Sequence, residues 1–202
     1  MSVPAIDLIQ PGDPRLQPSK RVGDAWALIS QVDGLELRAT RAKMRDLVES
    51  VAAPADRSSR PGHLTGSALV VDSTITTTLL LFHTKLRIWV QPGGHADGDC
   101  NLASVALREA TEETGISGLR ILPNPIDIDI HEVAPPSEDA HFHHDVRFLV
   151  VAPPDGEFVG NHESLDHRWL PLNDLSSISA DPGVVRLCAR ARTLSRGLPD
   201  VG

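Results

Sequence analysis

Cysteine occurs only twice in these 202 residues, as Cys100 and Cys188, far apart and outside any metal-ligand spacing. A disulfide framework is therefore excluded as the basis of the fold. Basic charge is also scarce, since 19 Lys and Arg against 27 Asp and Glu leave a formal net charge of -8. That balance argues against a nucleic-acid polymer or an anionic membrane surface as partner. It leaves room for an anionic small molecule, because a bound divalent metal can reverse the local field. No apolar run reaches membrane-spanning length, and the opening MSVPAIDLIQPGDP has neither a basic segment nor a long apolar core. A cytoplasmic protein with no membrane span is expected. Internal repeats and low-complexity tracts are missing too. What is there, 41% hydrophobic and 23% charged residues, describes an ordinary globular chain.

One short stretch stands out. REATEETGI, from Arg108 to Ile116, places Glu109, Glu112 and Glu113 within five positions. On a helix, like charges one turn apart cost a few tenths of a kcal/mol. At roughly 100° per residue, with Glu109 as zero, Glu113 falls near 40° and Glu112 near 300°. Leu102, Val105 and Ala106 share that arc, and Ala103, Leu107 and Ala110 extend it. Ser104, Arg108 and Thr111 make the polar face, with Glu112 at its edge. Two of the three glutamates therefore project from the side that should be packed. Half-buried carboxylates need a paired charge or a metal.

Residues 1–60 read as a helical extension, with DAWALISQV and LELRATRAKMRDLVESVAA as helices and APADRSSRPGH as a linker. It is too short to bury a good core alone, so docking on the main domain is expected. Residues 61–202 form that domain. TGSALVVD and TTTLLLFHT suggest a hairpin, followed by strands at LRIWV, LRIL, IDIDIHEV, FHHDVRFLVVA and HRWLPL. Pro92-Gly93-Gly94 marks a turn, or a place where backbone lies close to another group. Asn101 can cap the glutamate helix and Gly115 can end it. PGVVRLCARARTLSRG reads as a closing amphipathic helix. The fold class is α/β or α+β, a layered sandwich.

Together, GGHADGDCNLASVALREATEETGI resembles the Nudix box, G-x5-E-x7-R-E-U-x-E-E-x-G-U with U aliphatic. Gly94, Arg108, Glu109, Ala110, Glu112, Glu113, Gly115 and Ile116 fall in register, and Cys100 stands where the first glutamate belongs. The resemblance covers about residues 63 to 175. It implies an α/β/α sandwich with a mixed β-sheet, and hydrolysis of a nucleoside diphosphate linked to another moiety, using Mg²⁺ or Mn²⁺. It also implies that Glu109, Glu112 and Glu113 are metal ligands, that Arg108 orients Glu109, and that Gly93 and Gly94 let the loop approach the site. Glu163, in NHESLDHRW, lies in a later loop where many relatives supply a further catalytic carboxylate.

The chemistry agrees. A diphosphate concentrates negative charge, so its hydrolysis calls for a cation, and Mg²⁺ prefers oxygen ligands. Carboxylates at i, i+3 and i+4 can hold such ions, which stabilise phosphate charge and acidify water. A thiol does not replace a carboxylate for hard Mg²⁺. Asp97 and Asp99 are nearby candidates to take over from the missing glutamate, which otherwise is dispensable here.

HFHHDVRF places His141, His143, Asp145 and Arg147 on one strand face. Similar strands occur in some Nudix proteins with a QPGGH loop. H-x-H spacing suits a transition metal, but substrate contact or hydrogen-bonded structure is favoured, with His95, His143, Asp145 and Arg147 as substrate-binding candidates. Trp89 and Trp169 are expected to be packed. Substrate markers are negative: the chain has no tyrosine, which dinucleoside-polyphosphate relatives often carry downstream of the box. The expected function is a metal-dependent pyrophosphohydrolase acting on a small nucleoside diphosphate derivative. The alternative is a catalytically weakened module that binds a nucleotide for regulation. An isopentenyl-diphosphate-isomerase type lacks its Cys and Glu pattern here. A homodimer is compatible with either reading.

Overall fold

The computed structural model describes residues 7–83, 87–134, 139–159 and 166–195. Its centre is a pair of long strands, β1 (Gly62–Val71) and β7 (His141–Val151), parallel from Gly62 opposite Phe142 to Val71 opposite Val151. Every residue of β1 is buried, as suits a parallel strand covered on both faces. The hairpin partner β2 (Thr77–His83) takes only the last residues of β1, at Val70 and Val71. Beyond it lie β3 (Ile88–Val90) and β8 (His167–Pro171), both antiparallel to β2. On the far side, β5 (Arg120–Ile121) and β6 (Asp127–Val133) pair antiparallel with β7.

Because β2 leaves the middle of β1 unpaired, a further strand can enter there. This is β4 (Gly93–His95), whose residues face Thr65, Gly66 and Ser67. The turn expected at Pro92-Gly93-Gly94 is thus a strand. The physical reason is space. A Cβ on Gly93 would lie 2.2 Å from Ser67 Oγ, and one on Gly94 2.5 Å from Glu109 Oε2. The glycines serve close approach, the other property expected of them.

Helix α3 (Leu102–Thr114) covers one face of the sheet and α4 (Pro182–Ser195) the other. Leu64, Ala68, Val70, Val146, Phe148 and Val150 pack against Leu102, Val105 and Ala106. Leu69, Val71, Leu149 and Val151 pack against Val184, Leu187, Cys188 and Ala191. These alternating sets follow the two-residue period of the strands. The result is the expected α/β/α sandwich with a mixed sheet. No helix among the described residues is long and apolar enough to cross a membrane.

The extension adds α1 (Val22–Ile29) and α2 (Arg38–Ser50). Ile29, Leu37, Met44 and Leu47 belong to the same buried cluster as α3 and β1, so the extension shares the core of the domain. Before α1, Ile9 and Ile121 exchange backbone hydrogen bonds of 2.9 and 2.8 Å, which lays the chain along β5.

Candidate active site

The glutamate helix is fixed at both ends. Asn101 Oδ1 faces the Ser104 amide at 3.5 Å, and Gly115, at φ 66°, donates its N–H to Thr111 at 2.9 Å. A left-handed residue there favours glycine. Burial along α3 follows the wheel: Leu102, Ala103, Val105, Ala106, Leu107 and Ala110 are buried, while Arg108, Thr111 and Glu112 are exposed. Glu109 and Glu113 are intermediate, at the boundary where apolar and wet faces meet.

Both of these glutamates reach β4. The Glu109 carboxylate lies against Gly94, and Glu113 Oε2 accepts the Gly93 N–H at 3.2 Å. Arg108 Nη1 lies 2.7 Å from Glu109 Oε1 and 3.7 Å from Glu112 Oε2, while its Nη2 donates to the His95 carbonyl at 3.0 Å. One guanidinium thus ties two carboxylates to the strand. Burial pushes the Glu109 carboxyl above the usual range, against the pull of Arg108. Glu163 lies outside the described residues.

Cys100 occupies its place in the motif as a core residue. It is 3% exposed, packs in the cluster of α3 and the extension, and donates its N–H to the Ser19 carbonyl at 2.7 Å. Burial and the neighbouring Asp99 push its thiol up. The two acids proposed to replace the missing glutamate are engaged elsewhere. Asp97 accepts two hydrogen bonds of 2.6 Å from Arg57, and Asp99 accepts the Ser19 and Asn101 amides at 2.9 Å each. Asn101 in turn donates to the Arg15 and Gln17 carbonyls. The loop before α3 is strapped to the extension, a connection no local pattern reveals.

The second group of expected site residues lies on the opposite face of the sheet. Asp145 and Arg147 are buried, with Arg147 Nε donating to Asp145 at 2.8 Å and Nη2 to Asp129 at 2.8 Å. Thr65 and Ser67 hydroxyls donate to Asp145 at 2.9 and 2.8 Å. Arg186 of α4 closes the network on Asp127 and Asp129 at 2.9 and 3.0 Å. Asp145 and Arg147 therefore sit in an ion-pair layer beneath α4 instead of lining an open surface. Burial raises both carboxyls, yet Arg147 holds Asp145 below its usual range, and the hydrogen bond with His131, followed by Arg147, does the same for Asp129. Asp127, Asp129 and Arg186 were not marked by the sequence reading, because their partners come from three separate strands and a helix.

Beside this layer, the imidazoles of His95 and His143 meet His63 of β1, which sequence reasoning also passed over. Among the described residues, these three side chains bring donor atoms within 4.8 Å of one another. The three glutamates are not drawn together in this way. A separate cleft of about 310 Å³ lies away from both groups, bordered by Arg15, Leu28, Asn101, Ala103 and Pro123.

The motif register, the glycine strand against Glu109 and the layered fold point the same way, and residues 64–188 match the NUDIX domain family. The chain belongs to the Nudix family. It is 28% identical over 134 residues to a Mycobacterium tuberculosis protein named putative 8-oxo-dGTP diphosphatase 3. That match covers 61% of this chain and 58% of the relative's length. Among solved structures, a Caenorhabditis elegans Ap4A hydrolase binary complex shares 17% identity at TM-score 0.54, over 67% of this chain and 98% of the other. The M. smegmatis Nudix hydrolase RenU shares 19% at TM-score 0.51, over 69% and 89%. These structural likenesses concern the Nudix fold.

Proposed function

We propose that this Nudix protein is a divalent-metal-dependent pyrophosphohydrolase that cleaves the diphosphate linkage of a nucleoside diphosphate derivative. The observation that carries the reading is the meeting of Glu109 and Glu113 with the Gly93-Gly94 backbone, beside Arg108. The donor set fits a hard cation: three carboxylates at i, i+3 and i+4 offer oxygen only. The glycine cradle fits as well, since any side chain at Gly94 would displace Glu109.

Glu109, Glu112 and Glu113 would hold Mg²⁺ or Mn²⁺. When bound, the cation supplies positive charge to the diphosphate and lowers the pKa of water. Arg108 fixes the Glu109 carboxylate and, through the His95 carbonyl, its distance from β4. Gly93 and Gly94 let a phosphate approach the backbone, and the His95 carbonyl anchors Arg108 beside that approach, while the His95 ring turns to the other face of the sheet. Asp145 and Arg147 support the strand from below.

The test is turnover with Mg²⁺ and with Mn²⁺ on a panel of nucleoside diphosphate derivatives. The names of the relatives direct attention to 8-oxo-dGTP and diadenosine tetraphosphate as its first members. Metal-dependent release of a nucleotide from at least one member supports the proposal. Tight binding across the panel with no turnover in either metal overturns it in favour of a regulatory nucleotide-binding module.

A further inference from the structure

The face of β4 that turns away from the glutamates carries a different donor chemistry. Gly94 presents its α-carbon to Glu109 on the α3 side, so its neighbours Gly93 and His95 face the α4 side. On that side three adjacent strands deliver imidazoles to one point. His63 of β1 pairs directly with His143 of β7, and His95 of β4 pairs with Thr65, two residues further along β1. Ring centroids stand 5.1 Å apart for His63 and His95, 4.9 Å for His63 and His143, and 5.2 Å for His95 and His143.

We propose that His63, His95 and His143 bind a divalent transition metal, Zn²⁺ foremost, at a site distinct from the carboxylates of α3. Two properties of the cluster support this. The first is unmet bonding. His63 is 1% exposed, yet neither of its ring nitrogens makes a hydrogen bond of ordinary length and angle, the Ser59 backbone being its polar neighbour, and His143 Nε2 makes none either. Buried polar atoms without partners are uncommon and call for a bound water or ion.

The second is geometry. Tetrahedral nitrogen ligands about 2.0–2.1 Å from Zn²⁺ stand roughly 3.4 Å from one another. The donor atoms already lie within 4.8 Å, so rotation of the three rings about χ1 and χ2 closes the set. Three protein ligands leave a fourth position for water or another donor.

Around the trio, His141 and His131 extend the cluster, their rings 5.4 and 5.5 Å from that of His143. His131 Nδ1 lies 3.6 Å from Asp129 Oδ2, the kind of carboxylate support that orients rings near a metal. The two faces of β4 thus sort cations by hardness: oxygen donors for Mg²⁺ or Mn²⁺ on one side, nitrogen donors for Zn²⁺ or Co²⁺ on the other.

The experiment uses the full chain without an affinity tag, stripped by chelator and titrated with Co²⁺ and then Zn²⁺ in excess Mg²⁺. The expected result is one equivalent of Co²⁺ with the visible absorption of a tetrahedral nitrogen site, displaced by Zn²⁺ and accompanied by a rise in Tm. His95→Gln and His143→Gln should each weaken the affinity by roughly tenfold or more. His95→Gln, on the half-buried edge strand, decides the matter if His143→Gln fails to fold. Glu112→Gln and Glu113→Gln should keep the Co²⁺ spectrum while losing hydrolysis, which separates this proposal from the pyrophosphohydrolase reading. Absence of a tetrahedral Co²⁺ spectrum, its survival in His95→Gln, or its loss in the glutamate variants overturns the assignment.

Discussion

The backbone N–H of Gly93 donates to the Glu113 carboxylate at 3.2 Å, a contact that joins the glutamate helix to the strand beside it. Glycine is needed at both positions, because a Cβ at Gly94 would collide with Glu109 of the helix and one at Gly93 with Ser67 of β1. Helix and strand therefore act as one unit.

Glu112→Gln and Glu113→Gln should each lower turnover by roughly two orders of magnitude while leaving the fold intact. The amide oxygen of glutamine still accepts from Gly93, and Glu112 is exposed, so neither change disturbs packing. Turnover at limiting Mg²⁺ and thermal unfolding without metal measure the two effects. Native turnover in both variants would remove these carboxylates from the metal site.

Two glycines should respond to alanine in opposite ways. At Gly94 the added methyl meets the far end of Glu109, a flexible side chain that can move aside. Stability should change little and turnover should fall sharply. At Gly66 the methyl meets the Leu102 carbonyl at 2.9 Å and Val105 Cγ1 at 3.0 Å, where α3 crosses β1. Backbone does not yield so readily, and about 1–3 kcal/mol of stability should be lost. Denaturant midpoints and turnover, measured on both variants, distinguish a displaced carboxylate from a displaced helix.

Restoring glutamate at Cys100 should not restore anything. The position is 3% exposed and apolar, so a carboxylate placed there must stay protonated or distort the core. Cys100→Glu should lose several kcal/mol of stability and gain no turnover, whereas Cys100→Ala should cost about 1 kcal/mol. A tenfold gain in turnover, worth about 1.4 kcal/mol in the barrier, would show that the loop rearranges to present the new carboxylate to the site.

Asp97→Asn and Asp99→Asn should leave turnover close to that of the native chain, since both carboxylates bind the extension. The exposed Arg57–Asp97 pair contributes 0–1 kcal/mol at about the usual level for such pairs. Asp99→Ala should cost about 2 kcal/mol, one for each amide it leaves unpaired. A large loss of activity in either amide variant, with unchanged Tm, would return these acids to the catalytic site.

Removing the charge from Arg147 leaves Asp145 buried beside Thr65 and Ser67 with its ion-pair partner gone. Arg147→Met should destabilise the protein by about 3–5 kcal/mol. Chemical denaturation checks this, and an unchanged midpoint would mean that the layer beneath α4 is not a stabilising network.

Much of this architecture is local and therefore legible from the chain. The 3.6-residue spacing of Leu102, Val105, Ala106 and Ala110 announces a helix and its buried face, and Asn101 and Gly115 bound it. The register of Arg108, Glu109, Glu112 and Glu113 follows from the same helix, since residues three and four apart are neighbours whatever surrounds them. Strand periods are equally local. Strand pairing is not. Nothing between residues 63 and 143 says that β1 and β7 run parallel in register, so the meeting of His63, His95 and His143 was decided by the sheet alone. The same holds for Cys100, Asp97 and Asp99. Their motif spacing suggests a damaged or compensated site, but the extension supplies Ser19, Arg57 and an apolar lining from up to 81 residues away. Sequence spacing fixes which side chains share a turn or a face, whereas packing of distant segments determines which buried groups find partners.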